Sequence, residues 1–291
     1  MRRSRLIFTC SLFCLFAITA CKRDLEEIID GNIAPPDPTV EKVVKENYIN
    51  RVYISLLGRK PVAAEYSTAF DIVDAANLDS GSRAEVLDIV LSQPEFRDNQ
   101  FTQAKADLLE GIDTVEIINQ ILLYELLKLD PQYAAYIDLL NAEIDKMNLV
   151  LDIPSELKAG AIDEREMHRR LVSNAIYDEI NMGTQNFIIS TFTHLLLRYP
   201  TASELEQSTL MVEGFNGVLF LETGKSKSDY LNIFTLSSDY CEGRVRDAFL
   251  RYVFREPQFN ELTSLTQAYK ANDDYRAILK SVLGSGEFAG L

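Results

Sequence analysis

The chain has 291 residues, four cysteines, no tryptophan and a formal net charge of −15. Such an acidic surface disfavours binding to nucleic acid and to anionic lipid headgroups, and it favours solubility. The length is ample for one hydrophobic core or two small ones.

The first twenty residues have the pattern of a targeting segment. Three arginines precede an apolar run over 6–18 that is short for a membrane-spanning helix. The run ends in Ile18-Thr19-Ala20-Cys21, which resembles the lipobox of bacterial lipoproteins. The resemblance implies cleavage before Cys21 and a diacylglyceryl thioether on its sulfur. An ordinary secretory signal with an incidental cysteine is the alternative. Loss of the three arginines would bring the net charge to −18.

The residues after Cys21 bear on which side of the membrane the protein faces. Lys22-Arg23-Asp24-Leu25-Glu26-Glu27 resembles the export signal of surface lipoproteins in Bacteroidota. That resemblance implies the outer face of the outer membrane; a plain solvated leader, with the protein on the periplasmic face, is the alternative. Residues 21–40 are acidic and contain three prolines, which predicts an extended tether. An ordered arm packed on the folded part is the other interpretation.

From residue 41 the pattern is helical, and one stretch defines it. Tyr53 to Glu65 reads Tyr-Ile-Ser-Leu-Leu-Gly-Arg-Lys-Pro-Val-Ala-Ala-Glu, after apolar residues spaced by four. We expect a helix that ends at Gly58-Arg59, since glycine suits a helix stop and arginine suits the negative end of the dipole. Pro61 prevents continuation, and Glu65 falls in the first turn of a second helix.

The same frame returns twice: an aromatic residue, five residues, Arg, any residue, Pro, three residues, Glu. The repeated positions are Tyr53, Arg59, Pro61 and Glu65; Phe192, Arg198, Pro200 and Glu204; and Phe249, Arg255, Pro257 and Glu261. Thr201 completes a capping box in the second copy, whereas Val62 and Gln258 leave only its glutamate half. Leu197 and Phe254 replace Gly58, so we expect those two helix ends not to adopt the glycine conformation.

A third helix is predicted in each copy. Its proposed caps are Ser82, Ser226, and Asp273 or Asp274. Each copy then closes on an acid and an aromatic residue: Glu95-Phe96, Asp239-Tyr240 and Glu287-Phe288. The arginine precedes that aromatic by 37, 42 and 33 residues, so we place the length variation between the second and third helices.

These patterns predict an all-α protein of three related three-helix units plus an inserted helical region. The units cover 41–99, 186–242 and 243–291, and the insertion covers 100–185. Within the insertion we predict helices at 115–126, from Pro131 to Met147, and from Asp163 to Ile176. A degenerate repeat is the alternative to an insertion. Residues 177–183 are either a connection between helices or a loop that faces a partner.

The frame from Tyr53 through Gly58-Arg59-Lys60-Pro61, closing on Leu91-Ser-Gln-Pro-Glu-Phe96, resembles a helical domain of unknown function in bacterial secreted and cell-surface proteins. It is also similar to the helical region beside cytochrome-type domains in large planctomycete proteins. The resemblance covers about half of the mature chain and implies an extracytoplasmic helical scaffold. It carries over no catalytic residues. The sequence has no Cys-x-x-Cys-His motif, so the cytochrome association does not transfer.

The sequence contains no catalytic, cofactor-binding or metal-binding pattern. His168 and His194 lack zinc-ligand spacing, and we expect both to be surface or hydrogen-bonded histidines. Cys241 is left as a single thiol. Thr223-Gly-Lys-Ser226 lacks the first glycine of a phosphate-binding loop. A hydrolase would need a cleft that gathers two or more carboxylates, and no spacing singles out such a pair.

Because Arg59, Arg198 and Arg255 recur, a single active site does not explain them. We expect each to bind carbonyls at its helix end or to pair with an acid of its own unit, with ligand binding as the alternative. The sequence thus favours a non-catalytic, lipid-anchored accessory or scaffold protein for an envelope partner. A surface lipoprotein that binds glycan or peptide for nutrient capture is the second interpretation. The binding residues are expected in the parts that do not repeat.

Overall fold

The computed structural model describes residues 38–291, so the predicted targeting segment, Cys21 and nearly all of the predicted tether lie outside the described residues. The prediction of an all-α protein is confirmed. Residues 41–108 form four helices, α1 Lys42–Leu57, α2 Ala63–Ala75, α3 Ser80–Leu91 and α4 Pro94–Leu108, so the proposed boundary at 99–100 falls inside the fourth. Helix α1 ends at Gly58 with φ 70°, as the sequence predicts.

The region 100–185 is helical. After α4 it contains α5 Thr114–Leu127, a 3₁₀ helix Pro131–Tyr136, α6 Ile137–Ala159, α7 Glu164–Val172 and α8 Ala175–Ile180. Helix α7 stops before the predicted helix does, because Asn174 binds the amides of Ile176 and Tyr177 and starts α8. Tyr177 is fully buried, so the segment from 177 begins within a packed helix rather than an open loop.

The remaining chain carries the second and third copies of the frame. It contains α9 Thr184–Thr191, continued by a π-helical turn Phe192–Leu196, then α10 Ala202–Val212, β1 Gly217–Leu219, β2 Glu222–Gly224, α11 Lys227–Leu236, α12 Ser238–Val253, α13 Phe259–Asn272, α14 Tyr275–Leu283 and α15 Gly286–Ala289.

The two short strands form an antiparallel hairpin that the sequence did not indicate. Its two-residue turn, Phe220-Leu221, has positive φ at both positions (52° and 71°), a conformation that normally selects Asn or Gly. Phe220 is held by its ring, which lies 6.2 Å from Phe192 and 6.3 Å from Phe234 between ring centroids. The hairpin lies between the second and third helices of its copy, which is where the length was expected to vary.

Two details of the third helices differ from prediction. The cap of α3 is Asp79, which accepts from the Ser82 amide at 2.8 Å, so Ser82 is a helical residue and not the cap. In addition, each acid-aromatic pair lies in the first turn of the following helix (α4, α12 or α15) instead of ending the third. Helix α12 therefore closes the second copy and also opens the third, and the proposed boundary at 242–243 falls inside it.

The C-terminal helices return to the first repeat. Arg51 on α1 donates to the carbonyl of Phe288 at 2.6 Å, and the Tyr48 ring meets the Phe288 ring edge-on at 6.0 Å. Arg83 donates to the carbonyl of Gly284 at 2.8 Å. These contacts join residues 201 to 240 positions apart, so the first and third copies share one core. No helix within 38–291 is both long and apolar enough to cross a bilayer.

Candidate functional site

Each repeated arginine lies at the turn between two helices, and we call these turns the first, second and third corners. The three corners have the same bonding pattern. In the second, Arg198 donates from both terminal nitrogens to the Glu204 carboxylate, at 2.9 and 2.7 Å. It also donates to Asp239 at 2.6 Å and to the carbonyl of Tyr199 at 3.2 Å, and its guanidinium lies 5.0 Å from the centre of the Phe192 ring. A bidentate carboxylate pair of this kind fixes the angle between two helices.

The other two corners repeat these contacts. Arg59 binds Glu65 at 2.7 and 2.8 Å and Glu95 at 3.1 Å. Arg255 binds Glu261 at 2.8 and 2.9 Å and Glu287 at 3.0 and 2.8 Å. Each first-turn glutamate also accepts from the amide three residues before it, as the capping prediction required. The aromatic residues Tyr53, Phe192 and Phe249 are buried, and Pro61, Pro200 and Pro257 are half-buried between helices.

The electrostatics of the corners favour a structural role. The hydrogen bonds from Arg198 lower the pKa of Glu204 to about 2, and those from Arg59 and Arg255 lower the pKa of Glu65 and Glu261. Carboxylates bound in this way stay ionised at neutral pH and are unsuited to proton transfer. Within residues 38–291 no hydrogen bond or ion pair links one corner to another, so the corners do not build a shared site.

One expectation about the corners was wrong. Leu197 and Phe254 adopt the same left-handed conformation as Gly58, with φ 55° and 58° against 70°. This conformation costs a residue with a β-carbon roughly 1–2 kcal/mol. The next residue in each case is the arginine, whose bonds to two acids and one carbonyl hold the backbone in place. The tertiary contacts of the corner therefore override the local preference for glycine.

A polar cleft lies between α4, α7 and α12, and no sequence spacing predicted it. Its outer part has a volume of about 280 Å³ and its inner end about 40 Å³. The charged and imidazole side chains that line the two parts are Asp107, Glu164, His168, His194, Arg244, Asp247 and Arg251. Arg244, Asp247 and Arg251 are spaced by three and four along α12, which is the one sequence signal that could have indicated a shared face.

The acids of the cleft are held by cations. Arg251 donates to Asp107 at 2.7 Å and to Asp247 at 3.2 Å. Glu164 is buried, accepts from the hydroxyl of Tyr269 at 3.1 Å and lies 3.8 Å from Arg244. Burial raises the pKa of the Glu164 carboxyl to about 7, against the opposing effect of Arg244. The cleft thus gathers three carboxylates, two of which share one arginine.

Both histidines line this cleft, and both are hydrogen-bonded, as expected. The Nδ1 atom of His168 lies 2.8 Å from the Tyr240 hydroxyl, and that of His194 lies 3.1 Å from the Tyr177 hydroxyl. Burial lowers the pKa of both imidazoles, that of His168 well below its usual range, so both are neutral at pH 7. Among residues 38–291, no group of three or more His, Cys, Asp or Glu side chains could hold a metal ion.

The inner end of the cleft contains two buried donors without a hydrogen-bond partner among the described residues. They are Nε2 of Gln100 and Nε of Arg244. Its volume suits one or two water molecules, which would satisfy both donors. The outer part can receive a small polar molecule, because guanidinium donors and carboxylate acceptors alternate along its wall.

A second candidate surface is the outer face of α5, which we call the α5 face. It consists of Val115, Ile118, Leu122, Leu123, Leu126 and, just past the helix, Leu129, each between 46 and 79% exposed. On the opposite side of α5, Ile117 is buried in the core. The helix is thus apolar on both sides, as its sequence indicates, but the described chain covers one side alone. Contiguous apolar surface of this kind marks interaction sites.

Comparison with known proteins finds no family model, no curated protein and no solved structure that matches this chain.

Proposed function

We propose that this chain is a lipid-anchored envelope protein that serves as a non-catalytic accessory or scaffold subunit for a partner protein. The α5 face is the observation that carries the proposal. Six apolar side chains on one short segment are exposed to water. Full burial of one large apolar side chain is favourable by roughly 1.5–3 kcal/mol, so a surface that covers these six gains part of that amount for each. Binding of a partner would cover them. They belong to the region without the repeated frame.

The anchor and address of the proposal rest on the sequence. Lipidation at Cys21 would hold the protein to the outer membrane, where two or three acyl chains give stable attachment. The acidic residues after Cys21 favour the cell surface, with the periplasmic face as the alternative. Cys21→Ser is expected to abolish lipid labelling and release the protein in soluble form. Retained labelling would exclude this anchor, and protease shaving of intact cells distinguishes the two faces.

The non-catalytic part of the proposal is supported by how the carboxylates are bound. Asp107 and Asp247 both accept from Arg251, and Glu164 is enclosed beside Arg244. Hydrolysis by paired acids needs one carboxylate that is free to act as base or nucleophile. No cofactor is part of this proposal.

The docking proposal is tested with the full chain carrying a tag at its exposed C-terminus. Envelope proteins that copurify in mild detergent are compared for wild type, Ile118→Glu and Ile54→Glu. Ile54 is the matched control, because it is an isoleucine of similar exposure (46% against 48%) on α1. We expect Ile118→Glu to lose a partner that wild type and Ile54→Glu both retain. Equal capture by all three would exclude docking through the α5 face.

The second candidate function is a surface lipoprotein that binds glycan or peptide. The polar cleft favours it, since alternating guanidinium and carboxylate groups match hydroxyls or peptide groups. Titration calorimetry with glycan and peptide panels tests it on the full chain. Specific saturable binding that Arg251→Gln weakens would favour this candidate. Binding that is equally strong in wild type and Arg251→Gln would mean that the ligand binds outside the cleft.

A further inference from the structure

We infer that the α5 face binds an amphipathic helix of the partner whose apolar stripe is flanked by lysine or arginine. This inference rests on the proposed docking function and names the chemistry of the partner.

The spacing of the exposed residues suits one helix. Val115, Ile118, Leu122, Leu126 and Leu129 follow one another at intervals of three, four, four and three. At 3.6 residues per turn the four of them on α5 form a single stripe about 17 Å long, which one apposed helix can cover, and Leu129 extends it just past the helix. The backbone of α5 satisfies its hydrogen bonds internally, so it offers no edge to which a strand could pair.

The edges of the α5 face, which includes Leu123, are acidic. At 100° per residue, Glu125 falls just outside Ile118 on one edge of the α5 face, and Glu116 falls just outside Leu123 on the other. The surrounding segment 110–139 contains six carboxylates and one lysine, a net charge of −5. Lys128 pairs with Glu125 at 2.9 Å, which leaves the remaining acids unbalanced within the segment. Basic residues on the flanks of a partner helix would complement this rim and set its orientation.

The same charges disfavour two other occupants. Binding of a second copy would bring together two segments that each carry a net charge of −5, in chains that each carry −15, and the like charges would repel. An anionic membrane surface attracts helices with Lys and Arg on their polar faces, whereas α5 has acids in those positions. A basic-flanked helix is the occupant that fits both the stripe and its rim.

The experiment uses the full chain in detergent and three fluorescent 16-residue helical peptides. The first has leucines at the stripe spacing and lysines on both flanks, the second has the same composition in scrambled order, and the third carries glutamates on the flanks. Anisotropy is expected to show saturable binding of the first peptide at low salt. We expect at least tenfold weaker binding of the scrambled and glutamate-flanked peptides.

Protein variants locate the binding. Ile118→Glu is expected to bind the first peptide at least tenfold more weakly than wild type does, while Ile54→Glu is expected to bind it as wild type does. Equal binding of the ordered and scrambled peptides, or no effect of Ile118→Glu, overturns the inference. Two further outcomes also overturn the inference. If sedimentation shows a dimer that Ile118→Glu dissociates, the face binds a second copy. If the protein binds phosphatidylglycerol vesicles and Ile118→Glu abolishes that binding, the face binds a lipid surface.

Failure of this inference is distinguishable from failure of the proposed function. If the peptides do not bind but an envelope partner is still lost in Ile118→Glu, docking stands and the chemistry of the partner is wrong. If partner capture is indifferent to Ile118→Glu, both fail.

Discussion

Gly243 on α12 lies against the carbonyl oxygen of Leu195, so close that a β-carbon at Gly243 would be 2.1 Å from that oxygen. The same β-carbon would be 2.9 Å from the Cα atom of Leu196. Both neighbours are backbone atoms of the π-helical turn, and they cannot rotate away as a side chain does. The absence of a side chain at Gly243 therefore allows α12 and the turn before the second corner to touch.

Gly243→Ala is expected to lower the free energy of unfolding by about 2–3 kcal/mol, the cost of overpacking a close contact. Helix propensity alone would make the alanine variant more stable by about 1 kcal/mol, so a loss of stability distinguishes overpacking from propensity. Gly81→Ala is the control, since Gly81 is helical and a β-carbon added there would lie at an ordinary 3.5 Å from its nearest neighbour, Asp79 Oδ1. Urea denaturation should show Gly81→Ala unchanged or more stable; similar effects in both variants would contradict the packing argument.

The left-handed residue of the third corner gives a second prediction. Phe254 has φ 58° and is 81% exposed, so its ring contributes little packing. Phe254→Gly is expected to raise the free energy of unfolding by about 1 kcal/mol, because glycine adopts this conformation without steric cost. Phe254→Ala removes the same ring but keeps a β-carbon, and it should give no such gain. Thermal unfolding of the two variants checks this, and equal stabilities would contradict it.

The reciprocal change is expected at the first corner. Gly58→Ala adds a β-carbon at φ 70° and places it 2.8 Å from Asn99 Oδ1. Asn99 donates to the carbonyls of Ser55 and Leu56 at 3.2 and 3.0 Å, so it cannot move without losing bonds to the end of α1. Loss of stability by more than about 1 kcal/mol is expected in the same thermal assay.

The corners also show what the sequence can predict. Arg198 and Glu204 are six residues apart, within one helix-turn-helix segment, so their frame alone indicates a pair. The third partner, Asp239, is 41 residues away, and the sequence marked it as a closing acid without indicating the bond. The conformation of Leu197 was predicted wrongly, because a local rule about glycine cannot include the bonds that Arg198 makes to distant groups.

The cleft was beyond sequence reasoning for the same reason. Glu164 and Arg244 come from helices 80 residues apart, and neither lies in a motif that requires the other. The α5 face was indicated in part, since the sequence shows a strongly apolar helix over 115–126 in the region without the repeated frame. Which side the chain itself covers depends on how α5 packs on α6, and the sequence of α5 does not contain that information.

The second corner gives a prediction for acid stability. Glu204 has a folded-state pKa of about 2, below its ordinary value of 4.5, so its stabilising effect is present above about pH 4.5 and is lost as the pH falls towards 2. Arg198→Gln is expected to cost about 1–2 kcal/mol at pH 6, after allowance for solvent screening of the partly exposed arginine. The deficit should shrink as the pH is lowered to 2.5.

Arg246→Gln is the control for this experiment. Arg246 makes one exposed ion pair, 2.7 Å from Glu256, and such pairs contribute about 0–1 kcal/mol. Urea denaturation of both variants between pH 2.5 and 6 measures the effect. A deficit of Arg198→Gln that stays constant with pH would show that the arginine acts through packing on Phe192 instead of through Glu204.

The buried carboxyl of the cleft predicts the opposite pH dependence. Burial raises the folded-state pKa of Glu164 to about 7, so its contribution to stability is fully present below about pH 4.5 and is lost as the pH rises to 7. Glu164→Gln keeps an acceptor for the Tyr269 hydroxyl and cannot ionise. The stability of the variant relative to wild type should therefore rise by about 2 kcal/mol between pH 5 and 8, mostly below pH 7. Glu206→Gln, at an exposed position on α10, controls for the loss of one charge. Parallel stability curves for wild type and Glu164→Gln would mean that Glu164 stays ionised beside Arg244 over this whole range.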